Sequence, residues 1–292
     1  MKLFSLFTGI GGLDYGLRDM VQLVGYSEIK ESSIKIFEKH YQGKNYGDLT
    51  NIDFKKLPDF DILTGGFPCQ SFSLAGLRKG FEDTKNKKGQ MIFYIYELLK
   101  EKKPQFVVLE NVKGLLSHNG GRTFKDVFRL LAMAGYYVRV LLLNALDYGS
   151  AQNRERLIFL CSKEDFKKKD VEFRSRNVRF KDIRDKGGYK FIKKNDRNLE
   201  KIEQKRKFNF ELIGDYDRVG TLTTQEGCGE KLVYEDGDYR YLTVLECERL
   251  QGFPEGWTEG VKDNDRYFAL GNAVNCNMSE YLFKDYLKGL WW

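Results

Sequence analysis

The sequence of 292 residues is poor in the residue types from which metal sites and disulfide frameworks are built. Its only histidines are His40 and His118, which excludes a histidine-rich metal site and argues against a Ser-His-Asp triad. Its five cysteines are odd in number, scattered, and include no C-x-x-C pair, so neither a disulfide framework nor a zinc ribbon is expected. Such cysteine usage is typical of a reducing, intracellular setting. An enzyme with this composition must work with cysteine, carboxylates and arginine.

Long apolar runs are also absent. No run approaches the roughly 18–20 residues that a membrane span requires, and the N-terminus leads into a strand pattern without a signal-peptide layout. Hydrophobic residues make up 41%, aromatic residues 14% and charged residues 31%, which is a globular composition. The length suits one large domain or two smaller ones.

The net charge of +7 is concentrated in one segment. Residues 163–207 hold 18 Lys and Arg against 9 Asp and Glu, whereas the remainder holds 31 basic and 33 acidic residues. This segment is either a solvated surface insertion or a surface that faces a polyanion such as nucleic acid. Composition leaves both interpretations open.

Apolar strand patterns alternate with helical patterns up to Ser162. The strand patterns are Lys2–Phe7, Leu23–Ser27, Phe60–Thr64, Gln105–Leu109, Tyr137–Leu143 and Leu157–Cys161. The helical patterns are Glu31–His40, Met91–Lys102 and Thr123–Ala134. This alternation predicts an α/β fold with an open, mostly parallel sheet.

The pattern beyond Ser162 is weaker. Strand signals are present at Val219–Thr223 and Lys231–Tyr234, regular patterning returns at Thr243–Gly252, and the helical stretch Ala273–Leu287 ends the chain. We therefore expect a first domain formed by residues 1–169 and 263–292, and a second, smaller domain formed by residues 170–262.

A glycine-rich turn, Phe7-Thr8-Gly9-Ile10-Gly11-Gly12, follows the first strand, and Glu28 follows the second. Glycines let a backbone approach a ligand closely, and an acidic residue after the next strand can bind ribose hydroxyls. The spacing departs from G-x-G-x-x-G, so a tight strand–helix joint is the alternative interpretation. Asp48 could accept a hydrogen bond from an adenine amino group or serve as an ordinary turn residue.

Three further groups lie near the ends of strand patterns. Cys69 lies one residue past Pro68, at the edge where open α/β sheets bind ligands, although most single cysteines are inert core residues. Glu110 follows the strand at Gln105–Leu109. Arg154 and Arg156 would point to one face of an extended chain, unless they form a surface ion-pair cluster. Together these side chains offer a nucleophile, a proton donor and a guanidinium pair.

This ordered set of motifs resembles the DNA (cytosine-5) methyltransferases. The matching stretches are Phe7–Gly12, Gly66–Gln70, Glu110–Val112, Asn144–Gly149, Gln152–Arg156, Glu246–Pro254 and Gly271–Val274. The resemblance spans the chain except for a variable segment at residues 170–235. It implies a Rossmann-like class I methyltransferase fold with helices on both faces of the sheet. Residues 170–262 would then be a smaller, irregular, β-containing target-recognition domain.

The resemblance also implies S-adenosyl-L-methionine as the cofactor, S-adenosyl-L-homocysteine as the product, and no metal. The residues implied to bind the cofactor are Phe7, Thr8, Gly9, Ile10, Gly11, Gly12, Glu28, Ile29, Asp48, Leu49, Pro68, Asn272 and Ala273. Two of them depart from the family pattern. Ile29 stands where an aromatic residue is frequent, and Ala273 stands where serine is frequent.

The implied chemistry begins with a Cys69 thiolate that adds to C6 of a flipped-out cytosine, so that C5 becomes nucleophilic. Glu110 would hold or protonate N3, and Arg154 and Arg156 would orient Glu110 and contact the base. The segment Ser71–Gly89 would close as a lid over the base. Bases would be read near Thr221–Gly229 in the smaller domain.

The expected substrate is a specific short sequence in double-stranded DNA, bound by a monomer in the cytoplasm of a bacterium or of a phage-infected cell. No membrane partner is expected, and a cognate restriction endonuclease could belong to the same system. The alternatives are methylation of cytosine in tRNA, a nicotinamide oxidoreductase, and a nucleic-acid-binding module without catalysis.

Overall fold

The computed structural model of the chain describes residues 1–68, 91–166, 170–173, 177–187, 191–192, 211–224 and 231–289. The chain divides into two compact units. The first consists of Met1–Leu143, Glu155–Glu172 and Ser279–Trp292, and the second of Asn144–Arg154 and Phe173–Met278. Among the described residues, no helix is long and apolar enough to cross a membrane.

The first unit is built on a six-stranded sheet. Its strands are β1 (Lys2–Leu6), β2 (Gln22–Ser27), β3 (Ile62–Gly66), β4 (Phe106–Val112), β5 (Tyr137–Asn144) and β6 (Glu155–Ser162), in the spatial order β2-β1-β3-β4-β6-β5. The pairs β1–β2, β1–β3 and β3–β4 are parallel, whereas β4–β6 is antiparallel. The sheet is therefore mostly parallel, as the sequence predicts.

Three helices connect these strands: α1 (Glu31–His40), α2 (Met91–Lys102) and α3 (Arg122–Met133). Helix α1 has Glu31 in its first turn and Lys39 and His40 in its last, an arrangement that complements the helix dipole. The apolar faces of α2 and α3 pack on alternate residues of the sheet in one core cluster. This cluster includes Leu98 of α2, Leu130 of α3 and Val107 of β4. Because residues of one parity line one face of a strand, this cluster covers one face of the sheet.

The second unit contains a three-stranded sheet of β7 (Glu211–Ile213), β8 (Lys231–Glu235) and β9 (Asp238–Tyr241), in that spatial order. Its helices are α4 (Phe180–Ile183), α5 (Val244–Gln251) and α6 (Asp263–Asn272). Helix α5 begins with a capping box between Thr243 and Glu246 and ends at Gly252, whose φ is +73°. The helix α7 (Cys276–Glu280) and a π-helical stretch, Tyr281–Tyr286, complete the described chain.

Several predicted elements differ from the observed ones. Helices α1 and α2 have the predicted bounds, but β3 and β4 both extend further along the chain than predicted, so that Gly66 and Glu110 lie within strands. The strand predicted at Val219–Thr223 is wrong, because only Val219 pairs there, in an isolated bridge to Gln152. The helix predicted from Ala273 begins at Cys276.

The division by compactness also differs from the expected domain bounds, because residues 144–154 and 263–278 belong to the second unit. The division into a catalytic and a target-recognition domain stays a prediction.

Candidate active site

The turn after β1 carries an unusual backbone. Phe7, Gly9 and Gly11 have φ values of +51°, +54° and +85°. The left-handed region costs a residue with a side chain about 1–2 kcal/mol, so Phe7 is strained, and such strain is common at ligand sites. The N–H of Phe7 donates to the carbonyl of Ser27 in β2 at 2.8 Å. A Cβ added at Gly9 would meet no atom within 4 Å, so the turn leaves room for a ligand against its backbone.

Glu28 ties this turn to the start of α1. Its Oε2 accepts a hydrogen bond from the N–H of Gly9 at 2.9 Å, and its Oε1 accepts from Ile29 and Lys30 at 2.8 and 2.9 Å. The side chain of Ile29 is 72% exposed. The hydroxyl of Thr8 is buried and has no hydrogen-bond partner in the described part of the chain. A buried hydroxyl without a partner is costly, so a ligand that bonded the Thr8 hydroxyl would remove this cost.

Asp48 and Leu49 have local structural roles. Oδ1 of Asp48 accepts from both the N–H and the hydroxyl of Thr50 at 2.9 Å, which caps the short 3-10 turn that begins at Leu49. The turn interpretation of Asp48 is thereby confirmed. Leu49 is 2% exposed and belongs to the core cluster. Contact of either residue with adenine stays a prediction.

Glu110 faces the end of β3. The parallel register of β3 and β4 pairs Gly66 with Glu110, and a Cβ added at Gly66 would lie 3.1 Å from Oε2 of Glu110. Glycine at this position therefore makes room for the carboxylate. Nδ2 of Asn111 donates to the carbonyl of Phe67 at 2.9 Å and so anchors the chain just before the exposed Pro68. Cys69 and the predicted lid Ser71–Gly89 lie outside the described residues.

Arg156 fixes the carboxylate from the other side. Its Nε lies 2.8 Å from Oε1 of Glu110, and its Nη1 donates to the carbonyl of Glu155 at 2.8 Å. The two side chains are about 90% buried, at 10% and 12% exposure. Burial lowers the pKa of Arg156, and the charge of Glu110 opposes this shift. Because the pair is largely shielded from water, the position of Glu110 is well defined.

Arg154 binds the main chain of the second unit. Its side chain has no exposed surface and donates to three main-chain carbonyls of the second unit, those of Leu222, Gly271 and Ala273, at 3.3, 2.8 and 2.7 Å. The orientation of Glu110 by Arg154 and contact of Arg154 with the base stay predictions.

Asn272 and Ala273 end helix α6 in the second unit. Nδ2 of Asn272 donates to the carbonyl of Phe268 at 3.1 Å, and the carbonyl of Ala273 accepts from Arg154. Contact of these two residues with a cofactor stays a prediction.

Two residues near the glycine-rich turn were missed by sequence reasoning. Asp14 is 1% exposed, and its carboxylate accepts from the hydroxyls of Ser5 and Thr64, both at 2.6 Å. Burial raises the pKa of Asp14 to about 6, although both hydrogen bonds oppose the shift. Tyr41 donates from its hydroxyl to the carbonyl of Gly11 at 3.0 Å. The signal for Asp14 was an acidic residue within the apolar run that follows Gly12, whereas no local signal marked Tyr41.

Among the described residues, no group of three or more His, Cys, Asp and Glu side chains is arranged to hold a metal ion.

Comparison with known proteins places the whole arrangement in context. Residues 1–288 match the family model for C-5 cytosine-specific DNA methylases. The type II methyltransferase M.NlaX of Neisseria lactamica is 36% identical over 94% of this chain and 92% of its own length. M.HhaI of Haemophilus parahaemolyticus is 30% identical over 97% and 93%, and M1.ScrFI of Lactococcus lactis subsp. cremoris is 35% identical over 94% and 74%.

Solved structures show the same fold at lower identity. The Entamoeba histolytica methyltransferase EhMeth aligns with a TM-score of 0.80 at 19% identity, covering 99% of this chain and 98% of its own. The S. pombe Dnmt2 methyltransferase aligns with a TM-score of 0.79 at 19% identity, covering 100% of both chains.

Proposed function

This chain belongs to the C-5 cytosine-specific DNA methylase family, and we propose that Cys69 and Glu110 are the residues that carry its reaction. It is an S-adenosyl-L-methionine-dependent transferase that methylates C5 of cytosine in DNA. The observation that supports this assignment of residues is the arrangement around Glu110. The carboxylate lies over Gly66, is held by Arg156, and is followed in β4 by Asn111, which binds the chain two residues before Cys69.

The chemistry explains why a thiol and a carboxyl group are needed together. C5 of cytosine is a poor nucleophile, and addition of the Cys69 thiolate to C6 converts C5 into the nucleophilic carbon of an enamine. Glu110 holds N3 of the ring as charge develops there, and its pairing with Arg156 keeps the carboxylate in one position. After methyl transfer, loss of the C5 proton and expulsion of the Cys69 sulfur restore the aromatic ring.

The glycine-rich turn fits the cofactor, which when bound supplies an electrophilic methyl group on a sulfonium. The fit rests on the open space at Gly9 and on the unpartnered hydroxyl of Thr8. Residues Thr8–Gly12 would surround the methionine portion, Phe7 and the exposed Ile29 would face the adenine, and Glu28 would bind the ribose. A strained backbone at Phe7 agrees with a ligand site at this turn.

The DNA substrate requires two further proposals. A cytosine in a duplex must leave the base stack before Cys69 can reach it, which costs a few kcal/mol. The basic excess of residues 163–207 would contact phosphates, so the affinity for DNA should fall steeply with salt.

We further propose a monomer in the bacterial cytoplasm, with a restriction endonuclease as its partner in the same system. The type II names of its relatives support this last point.

Covalent trapping on duplex DNA that contains 5-fluorocytosine tests the proposed chemistry. The wild-type protein should form an adduct that survives denaturing electrophoresis when the methyl donor is present. Cys69→Ala should form none while it still binds DNA, and Cys161→Ala, at a buried free cysteine of β6, serves as the matched cysteine control. Glu110→Gln should slow methylation by about 100-fold or more, with Glu155→Gln as its neighbouring control.

A covalent adduct formed by Cys69→Ala would overturn the proposal. Failure of the wild-type protein to form the adduct would overturn it as well. Transfer of a tritiated methyl group to tRNA but not to DNA would overturn the DNA substrate.

A further inference from the structure

The glycine-rich turn packs against Tyr41, an aromatic residue that directly follows α1. Tyr41 follows the last residue of α1, and its ring stacks on Phe37 with centroids 4.4 Å apart and an interplanar angle of 12°. Phe37 in turn packs against Tyr26 of β2 at 4.7 Å. This stack is buried, with exposures of 0% for Phe37 and Tyr26 and 8% for Tyr41. A rigid support therefore lies beneath the turn.

Tyr41 and Gly11 are matched in shape and in hydrogen bonding. The hydroxyl of Tyr41 donates to the carbonyl of Gly11 at 3.0 Å, and a Cβ added at Gly11 would lie 2.3 Å from Cε2 of the Tyr41 ring. Gly11 also has a φ of +85°, which favours glycine independently. The backbone at Gly11 thus lies directly against the tyrosine ring.

Other hydrogen bonds restrain the first half of the turn. Its first half is fixed by Glu28, which accepts from the N–H of Gly9, and an internal bond runs from the N–H of Gly11 to the carbonyl of Thr8 at 2.9 Å. In its second half, the hydroxyl of Tyr41 is what holds the Gly11 peptide to α1. Because glycine has more conformational freedom than any other residue, loss of this bond should let the Gly11 peptide rotate.

We propose that Tyr41 is a positioning residue for the methyl donor, which acts by fixing the Gly11 peptide through its hydroxyl. This inference rests on the proposed function of the glycine-rich turn. Tyr41 has no role in the chemistry at the cytosine. Loss of the Tyr41 hydroxyl should therefore weaken binding of the cofactor without changing the rate of methyl transfer once the cofactor is bound.

Tyr41→Phe isolates the hydroxyl because the ring and its stacking are kept. Tyr26→Phe is the matched control, since the ring of Tyr26 packs against the same Phe37 and its hydroxyl donates to Glu38 at 2.8 Å, away from the turn. The probe is S-adenosyl-L-homocysteine, whose Kd is measured by calorimetry for the three proteins. One neutral hydrogen bond corresponds to about a 3- to 10-fold increase in Kd for Tyr41→Phe, and Tyr26→Phe should match the wild type.

Two further measurements separate positioning from general destabilisation. Amide hydrogen exchange at Gly11 and Gly12 in the ligand-free protein should be faster in Tyr41→Phe than in Tyr26→Phe. In methylation assays, the KM for the methyl donor should rise with its Kd, whereas kcat at saturating donor and the KM for DNA should stay within about twofold.

Equal Kd values for Tyr41→Phe and the wild type would overturn the role of Tyr41 but not the proposed function of the turn. An equal rise in Kd for Tyr41→Phe and Tyr26→Phe would have the same consequence. A wild-type protein that binds no S-adenosyl-L-homocysteine would instead overturn the proposed function of the turn, and the role of Tyr41 with it.

Discussion

The buried carboxyl group of Asp14 should make the stability of this protein depend on pH in an unusual direction. Asp14 joins β1 to β3, since its two oxygens accept from Ser5 and Thr64 at 2.6 Å. Asp14→Asn keeps the size of the side chain and can still bond both hydroxyls, because an amide accepts from one and donates to the other. The substitution therefore removes the titration and little else.

The size of the effect follows from the pKa. Burial raises the pKa of Asp14 from 3.8 to about 6, so between these values the folded protein binds a proton more tightly than the unfolded chain does. The stability that this group contributes is thus complete below pH 3.8 and is lost as the pH rises through 6. The full loss amounts to about 3 kcal/mol, of which about 1.3 kcal/mol falls between pH 5 and pH 7.

Urea unfolding at a series of pH values from 5 to 7.5, followed by circular dichroism, measures this loss. The unfolding free energy of Asp14→Asn, relative to the wild type, should rise by about 1.3 kcal/mol from pH 5 to pH 7 and then level off. Asp59→Asn is the control. A hydrogen bond from Lys102 lowers the pKa of Asp59, so both its folded and its unfolded values lie below pH 5 and the difference should stay constant. A constant difference for Asp14→Asn as well would refute the raised pKa.

Three further substitutions test other parts of the molecule. Arg156→Lys should lower kcat by about 10-fold with little change in the KM for DNA, because lysine lacks the planar guanidinium that meets Glu110 through Nε and the carbonyl of Glu155 through Nη1, and steady-state kinetics measure this. An unchanged kcat would contradict the positioning role. Arg154→Met should destabilise the second unit by about 3 kcal/mol, since three buried carbonyls lose their donors, and urea unfolding would show it. Glu246→Gln should cost about 3 kcal/mol of unfolding free energy, because Arg240 is fully buried against this carboxylate, and a loss below 1 kcal/mol would contradict the reasoning.

Much of the fold could be predicted from the sequence because its signals are local. Helices α1 and α2 have the predicted bounds, since helical spacing of apolar residues and the residues that end a helix lie within one short stretch. The same holds for the glycine-rich turn after β1, where two of the three left-handed backbones fall at glycines, Gly9 and Gly11, and the third at Phe7. The order of the motifs also identified the family, which the comparisons confirm.

Prediction from the sequence failed where the local pattern was compatible with more than one structure. The residues Thr221 to Thr223 have strand propensity, but the chain there makes no strand, and the amide of Leu222 donates to the side chain of Gln152 instead. Arg154 and Arg156 look alike in sequence, and the start of β6 between them gives them different environments. Neither outcome can be derived from propensity, because both depend on partners that lie far away along the chain, such as Gln152 for Leu222 and Glu110 for Arg156.

The sequence by itself thus determined the elements, the family and the residue types available for chemistry, since each is written in a short run of neighbours. Only the tertiary structure decided which polar groups meet. Glu110 pairs with Arg156 across 46 residues of chain, Asp14 joins Ser5 to Thr64, and Tyr41 holds Gly11. These partnerships depend on strand register and helix docking, which no local pattern encodes, because a shift of one residue in a strand would turn a side chain such as Glu110 to the opposite face.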